Sequence, residues 1–334
     1  MGAVRVYGIG NPLIDLLADI EETELTEMSL QKGTMQLIDD DAGDRILAAL
    51  GDREKTYASG GSCPNTMNTI AALGETAALA GCVGNDELGD IYASRLTSDG
   101  VVSDLTRVDG ATGTSIILIS PDGERTMHTR LGVCRRFAPE AVDHRLVADA
   151  EILYVTGYMW DTASQKQAVT EALKTANAGD TTVVFDVADP MAVDRHRDDF
   201  RDLIRRDVDI VLANRDEARM LLERDSESTT NAAAELSRWC SMAAVKNGAR
   251  GSSLGVDGTV TDIPAFNVKA VDTTGAGDNY AAGLIFGLLR GRSAVDAAAF
   301  ASTVAAEIVQ HRGAQFRGQT RAALAQEREY EYSS

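Results

Sequence analysis

Short apolar runs at residues 151–155, 182–186 and 208–212 are separated by amphipathic stretches of helical length at 163–178 and 193–206. A strand that is apolar throughout must be covered on both faces, and strand–helix alternation supplies that cover as a mostly parallel sheet with helices on either side. The same rhythm extends outward. Residues 4–9 and 76–81 read as strands, and 86–98 as a helix. A glycine turn at Gly60-Gly61 leads into a helix that ends at Gly74. Toward the C-terminus come a strand at 242–246, a hairpin around Asp257-Gly258, and helices at 277–290, 293–311 and 319–329. The expected class is α/β.

Four strand-like segments do not fit this rhythm: 14–20, 34–38, 113–120 and 124–130. The last two flank Ser120-Pro121-Asp122-Gly123-Glu124, a strong hairpin turn. No linker, repeat or low-complexity tract interrupts the chain, so residues 1–334 read as one large α/β domain. The exceptional strands fall in two segments, at about 12–40 and 110–135.

Hydrophobic content of 44% and charged content of 25% are those of an ordinary globular protein. No apolar run approaches the roughly 20 residues that span a bilayer, and Met1 to Val6 lead straight into a strand pattern with no basic leader. A cytoplasmic protein without a membrane partner is expected. The net charge of −19 disfavours nucleic acid as a partner but leaves room for a local anion site. Four cysteines (Cys63, Cys82, Cys134, Cys240) and four histidines are scattered, which argues against a disulfide framework or a structural metal. Gly8-Ile9-Gly10 invites a dinucleotide-binding reading, but the third glycine of that fingerprint would fall at Leu13. Nicotinamide chemistry is therefore a distant option.

Asp272-Thr273-Thr274-Gly275-Ala276-Gly277-Asp278 turns into a helix of small and apolar residues. Backbone N–H groups at a helix start lack intrahelical partners and carry partial positive charge, so a glycine turn there can cradle a phosphoryl group. Asp278 has two readings: a carboxylate favoured by the helix dipole, or a base that takes a proton from a hydroxyl attacking phosphorus. Spacing alone leaves them even.

This loop resembles the DTxGAGD signature of the ribokinase-like (PfkB) carbohydrate and nucleoside kinase family, and Gly60-Gly61-Ser62-Cys63-Pro64-Asn65 resembles its upstream GGxxxN signature. The resemblance implies a ribokinase-like fold, with the two exceptional strand regions combined into a small sheet that lids the active site. It implies ATP and Mg²⁺, Asp278 as catalytic base, and the amides of Gly275, Ala276 and Gly277 as an anion hole. Asn11, Asp15, Gly60, Gly61 and Asn65 would bind the hydroxylated substrate, as suits an ionised carboxylate facing two hydroxyl donors. Asn214 and Glu217 match an NxxE motif that holds hydrated Mg²⁺, although the same pattern alone is a helix cap with a capping-box glutamate. Lys246, Gly248, Gly251 and Thr273 would border the nucleotide, with Lys246 or Asn247 facing its phosphates. Asp272, Thr274 and Gly313, in the loop Arg312 to Gln315, correspond to a monovalent-cation site, K⁺ by the family's habit.

The leading expectation is an ATP-dependent kinase for a primary hydroxyl. The motif style is that of adenosine-kinase-type members, and Ser62 stands where ribokinases usually carry lysine. A sugar kinase for ribose, fructose or 2-keto-3-deoxygluconate is the alternative, which arginines 125, 130, 135 and 136 would suit. A non-catalytic sensor on the same fold is the rival from another class. The chain would act as a monomer or as a homodimer joined through the lid.

Overall fold

The computed structural model describes residues 3–122, 124–224 and 228–318. In chain order the strands are β1 (Val6–Ile9), β2 (Leu13–Asp19), β3 (Met35–Leu37), β4 (Thr56–Gly60), β5 (Ala77–Gly84), β6 (Val102–Val108) and β7 (Thr114–Ile119). They continue as β8 (Arg125–Arg130), β9 (Ile152–Thr156), β10 (Thr182–Asp186), β11 (Ile210–Asn214), β12 (Met242–Lys246), β13 (Ser252–Val256) and β14 (Thr259–Ile263). The helices are α1 (Glu22–Glu27), α2 (Asp40–Leu50), α3 (Ser62–Ala72), α4 (Glu87–Ser98), α5 (His144–Asp149) and α6 (Ala163–Asn177). After them come α7 (Pro190–Asp207), α8 (Arg215–Leu222), α9 (Thr229–Leu236), α10 (Ala276–Leu289) and α11 (Ala294–Ile308).

The main sheet runs β14-β13-β12-β11-β10-β9-β1-β5-β6. From β12 to β6 its neighbours are parallel, and β13 and β14 close one edge antiparallel. Successive strand side chains point to opposite faces, and the two cores follow from that alternation. Leu153 and Val155 join Phe185 and Val211 beneath α6, α7 and α9, where Leu173, Phe200 and Leu236 complete one core. Ile152 and Tyr154 join Val184 and Leu212 on the other face, under Met67 and Ile70 of α3 and Leu284 and Ile285 of α10. Helix α10 lies tightly against α11 because Gly283 and Gly287 face Ala301 and Ala297, where a Cβ would come within 2.7 Å of their Cα atoms. That contact sets the position of the α10 N-terminus.

The smaller sheet runs β3-β8-β7-β2-β4. On one face Leu16, Ala18, Ile116 and Leu118 pack under Leu25 of α1 and Ile46 and Leu50 of α2. The opposite face carries Leu13, Asp15, Ser115, Ile117, Met127 and Thr129 toward an open cleft.

Several local expectations need correction. The strand placed at 208–212 lies two residues later, because α7 runs to Asp207 and Val208 is its C-cap. Helix α7 starts at Pro190 rather than 193, since Asp189 accepts from the Met191 amide and proline is tolerated in a first turn. Strands β4 and β6 escape the sequence pattern because both are partly exposed and polar, β4 running into the glycine pair. The helix expected at 319–329 lies outside the described residues.

Candidate active site

The cleft, of about 940 Å³, lies between the two sheets and along the N-terminus of α10. At its centre Thr273 to Asp278 line the wall. Gly275 has φ +76° and faces Ala314, which a Cβ would strike. This glycine is required by backbone conformation and by the neighbouring loop, rather than to clear space for an anion. Gly277 opens toward Lys246, whose Nζ would lie 3.3 Å from an added Cβ. The Ala276 N–H donates to the Thr273 carbonyl at 3.2 Å, while the amides of Gly275, Gly277 and Asp278 have no partner among the described residues.

Asp278 is not a helix cap. Gly275 occupies the N-cap position, and no side-chain bond caps this helix. The Asp278 carboxylate instead accepts from Ser62 Oγ at 2.6 Å and from Asn65 Nδ2 at 2.9 Å. Asn65 is oriented in turn by Gln315 Nε2, 3.0 Å from its Oδ1, and Gln315 Oε1 accepts from Arg317 at 2.6 Å. Burial pushes the Asp278 carboxyl up to about 6, against the two hydrogen bonds. Asp186 adds to the rise, and Lys246 opposes it. A carboxylate beside free helix-terminal amides, with a pKa near neutrality, can take a proton from a hydroxyl.

Asp15 sits in mid-strand on β2, between Ala58 and Ser115. A Cβ on Gly60 would run into its carboxylate. Burial raises Asp15 to about 7 despite Arg125 and Arg317. Gly61 adopts φ +100° against the Asn11 carbonyl, and Asn11 Oδ1 accepts from Gln165 at 2.8 Å. Asn11, Asp15, Gly61 and Asn65 therefore meet on one side of Asp278.

On the other side the cleft runs past Gly248, Gly251, Phe266, Val268, Ala305 and Val309, an apolar slot. Lys246 lines it, but Asn247 does not; the Asn247 amide closes a turn onto the Gly251 carbonyl. Asn214 and Glu217 do form a capping box at α8. Glu217 is also buried against the cleft, and burial raises it to about 7, with Lys246 opposing.

Asp272, Thr274 and Gly313 come together, but around a different charge. Asp272 Oδ1 accepts from the Thr274 amide and hydroxyl, and Oδ2 accepts from the Gly313 amide and Arg125, each between 2.7 and 3.0 Å. The carboxylate is filled by four donors, one of them a guanidinium from β8. Among the described residues no group of three or more His, Cys, Asp or Glu could hold a metal ion.

Sequence reading missed Asp186, whose carboxylate holds Lys246 Nζ at 2.9 and 3.2 Å, and Asp189, at the adjoining N-cap. Ser62 was noticed only as a departure from lysine. The signal for Asp186 was its place at the end of an apolar strand, where open α/β sheets put their sites.

The sequence profile of pfkB family carbohydrate kinases matches residues 37–321. An adenosine kinase from Sinorhizobium meliloti superposes with a TM-score of 0.88 at 35% identity, covering 98% of this chain and 100% of that one. A probable sugar kinase from Rhizobium etli gives 0.88 at 32% identity, covering 98% and 99%. An ATP-dependent ribose-1-phosphate kinase from Halopiger xanaduensis is 32% identical over 72% of this chain and 78% of its own length. With its fold, both signature loops and this breadth of likeness, the chain belongs to the pfkB family of carbohydrate kinases and is a kinase.

Proposed function

We propose that this kinase transfers the γ-phosphoryl group of ATP to a primary hydroxyl of a nucleoside, adenosine being the expected acceptor. The observation that carries this reading is Asp278, which lines the cleft and is held by Ser62 and Asn65 instead of capping its helix. Two substrates entering from opposite ends would meet there. At the ATP end the slot around Phe266, Val268 and Val309 takes the adenine, and Gly248, Gly251 and Thr273 border the phosphates. At the acceptor end Asp15, Asn65 and Asn11 bind sugar hydroxyls. The amides of Gly275, Gly277 and Asp278 stabilise charge on the moving phosphoryl group as Asp278 removes the hydroxyl proton.

The acceptor class rests on the wall above Asp15. Leu13, Met35, Leu37, Ile117, Met127 and Leu131 present apolar surface there, which matches a flat base better than a bare sugar or a phosphate. The likeness to a bacterial adenosine kinase points the same way. The smaller sheet then acts as a lid over the acceptor.

Mg²⁺ fits as a hydrated ion brought with ATP. Asp189, Asn214 and Glu217 line the cleft beside one ammonium, Lys246, and such oxygen donors often reach Mg²⁺ through water. Asn214 and Glu217 would hold it, and it would neutralise phosphate charge.

A panel of acceptors with ATP tests the reading: adenosine, guanosine, cytidine, ribose, fructose, 2-keto-3-deoxygluconate and ribose 1-phosphate. Adenosine should give the highest kcat/KM. A sugar or ribose 1-phosphate exceeding every nucleoside would overturn the acceptor class.

A further inference from the structure

Strand β12 delivers Lys246 and β10 delivers Asp186 to the same end of the sheet, on either side of β11. Lys246 Nζ reaches across and bonds both oxygens of Asp186, at 2.9 and 3.2 Å. The pair is deeply set, with side-chain exposures of 16% and 2%. A buried ion pair is weak evidence for stability, because desolvating both charges offsets their attraction. Its position here points to another purpose. The ammonium stands where Gly277 leaves room, against the turn whose free amides make the anion site.

We propose that Asp186 is a positioning residue for phosphoryl transfer: it holds the Lys246 ammonium against the anion loop, where the ammonium contacts the transferred phosphoryl group, and keeps it off Asp278. This rests on the transfer reading above and adds to it a residue that touches neither substrate. An ammonium has three donors. Two are engaged by Asp186, and the third is available to a phosphoryl oxygen.

Asp186 is itself held. Its Oδ1 accepts from the Ala188 amide at 3.2 Å, in a turn where Ala188 takes φ +72°, a conformation uncommon for a side chain with a Cβ. Without Asp186, Lys246 would have Glu217 and Asp278 as its nearest anions, both acting on it already. Pairing with Asp278 would quench the base.

The groups that act on Asp278 come from several elements. They are Asp186 on β10, Lys246 on β12, and the Ser62 and Asn65 donors on α3. Cys63 and the Tyr154 and Tyr158 hydroxyls also feel its charge, and Glu217 and Asp189 lie beyond them around Tyr158. Among these, the pair supplies opposite charges, so removing either member moves the acid limb of the pH profile in opposite directions.

The test is steady-state transfer from ATP to adenosine between about pH 5 and 9 by wild type, Asp186→Asn, Lys246→Met and the double variant. Removing one preorganised donor should lower kcat by roughly 10²-fold, with the acceptor KM little changed. The acid limb should move to lower pH in Asp186→Asn and to higher pH in Lys246→Met. Because Asp186 acts through Lys246, the double variant should lose no more than Lys246→Met alone. It removes both charges at once, so it also stands in if Asp186→Asn fails to fold. Wild-type kcat in Asp186→Asn, additive losses, or acid limbs moving the same way would overturn the proposal. Asp278→Asn at wild-type kcat would instead overturn the transfer reading on which it rests.

Discussion

At Asp278 burial and hydrogen bonding act in opposite directions, and burial wins, leaving the carboxyl at about 6. A base must be ionised, so kcat/KM should fall as pH drops through about 6 and stay level above it until another group titrates. A pH profile with no acid limb between about 5 and 7 would contradict that placement. Asp15 is a simpler case, a half-buried carboxylate that desolvation raises to about 7, with no hydrogen-bond donor among the described residues. Its folded pKa lies above the unfolded one, so its contribution to stability is present at low pH and lost as pH rises through about 7. Asp15→Asn should therefore raise Tm at pH 8 and leave it nearly unchanged below about pH 3, where the carboxyl is largely protonated in both states. The same variant should raise the acceptor KM by about two orders of magnitude, with the KM for ATP little changed, as follows from leaving hydroxyl donors unpaired. Equal changes in both KM values would make Asp15 structural. The sequence showed these carboxylates through their motifs. It could not show whether Asp278 capped its helix, because that depends on Ser62 and Asn65, more than 200 residues away.

Among the side chains that link the smaller sheet to the rest of the protein, Arg125 reaches the anion loop. Arg125 leaves β8, bonds Asp272 at 2.8 Å and Thr274 at 3.2 Å, and so pins the smaller sheet to the loop that begins α10. If that sheet is a lid, the tie is part of its closed form. Hydrogen exchange in residues 14–38 and 113–130 should slow when an acceptor binds and slow little with ATP alone. Arg125→Gln should speed exchange there and lower kcat/KM for the acceptor roughly tenfold, the scale of a charge-assisted hydrogen bond. Unchanged protection with every active acceptor would leave the sheet as fixed scaffold. At this scale the main sheet was legible because strands such as Ile152–Thr156 are buried on both faces and read as unbroken apolar runs. Strand β6 was not, since its edge position leaves it half-exposed and polar. Helices α1 and α2 cover only the smaller sheet, and their short amphipathic patterns were lost between its strands.

A chain of net charge −19 that handles ATP must reverse its own field locally. It does so with the N-terminus of α10, Lys246 and, on the proposed reading, Mg²⁺, all at the centre of one cleft. The topology explains why that centre is there. The C-terminal ends of β10, β11 and β12 deliver Asp186, Asn214 and Lys246 along one rim, and the packing of α10 on α11 sets the anion loop opposite them. Phosphoryl transfer should take place at that point. The most direct measurement is kcat for phosphoryl transfer from ATP to adenosine by wild type and by Asp278→Asn, with the affinity of both substrates measured alongside. The variant should bind both nearly as wild type does and lose roughly 10²–10⁴-fold or more in kcat, the contribution of a positioned general base. A variant that kept more than half of the wild-type kcat would contradict the account.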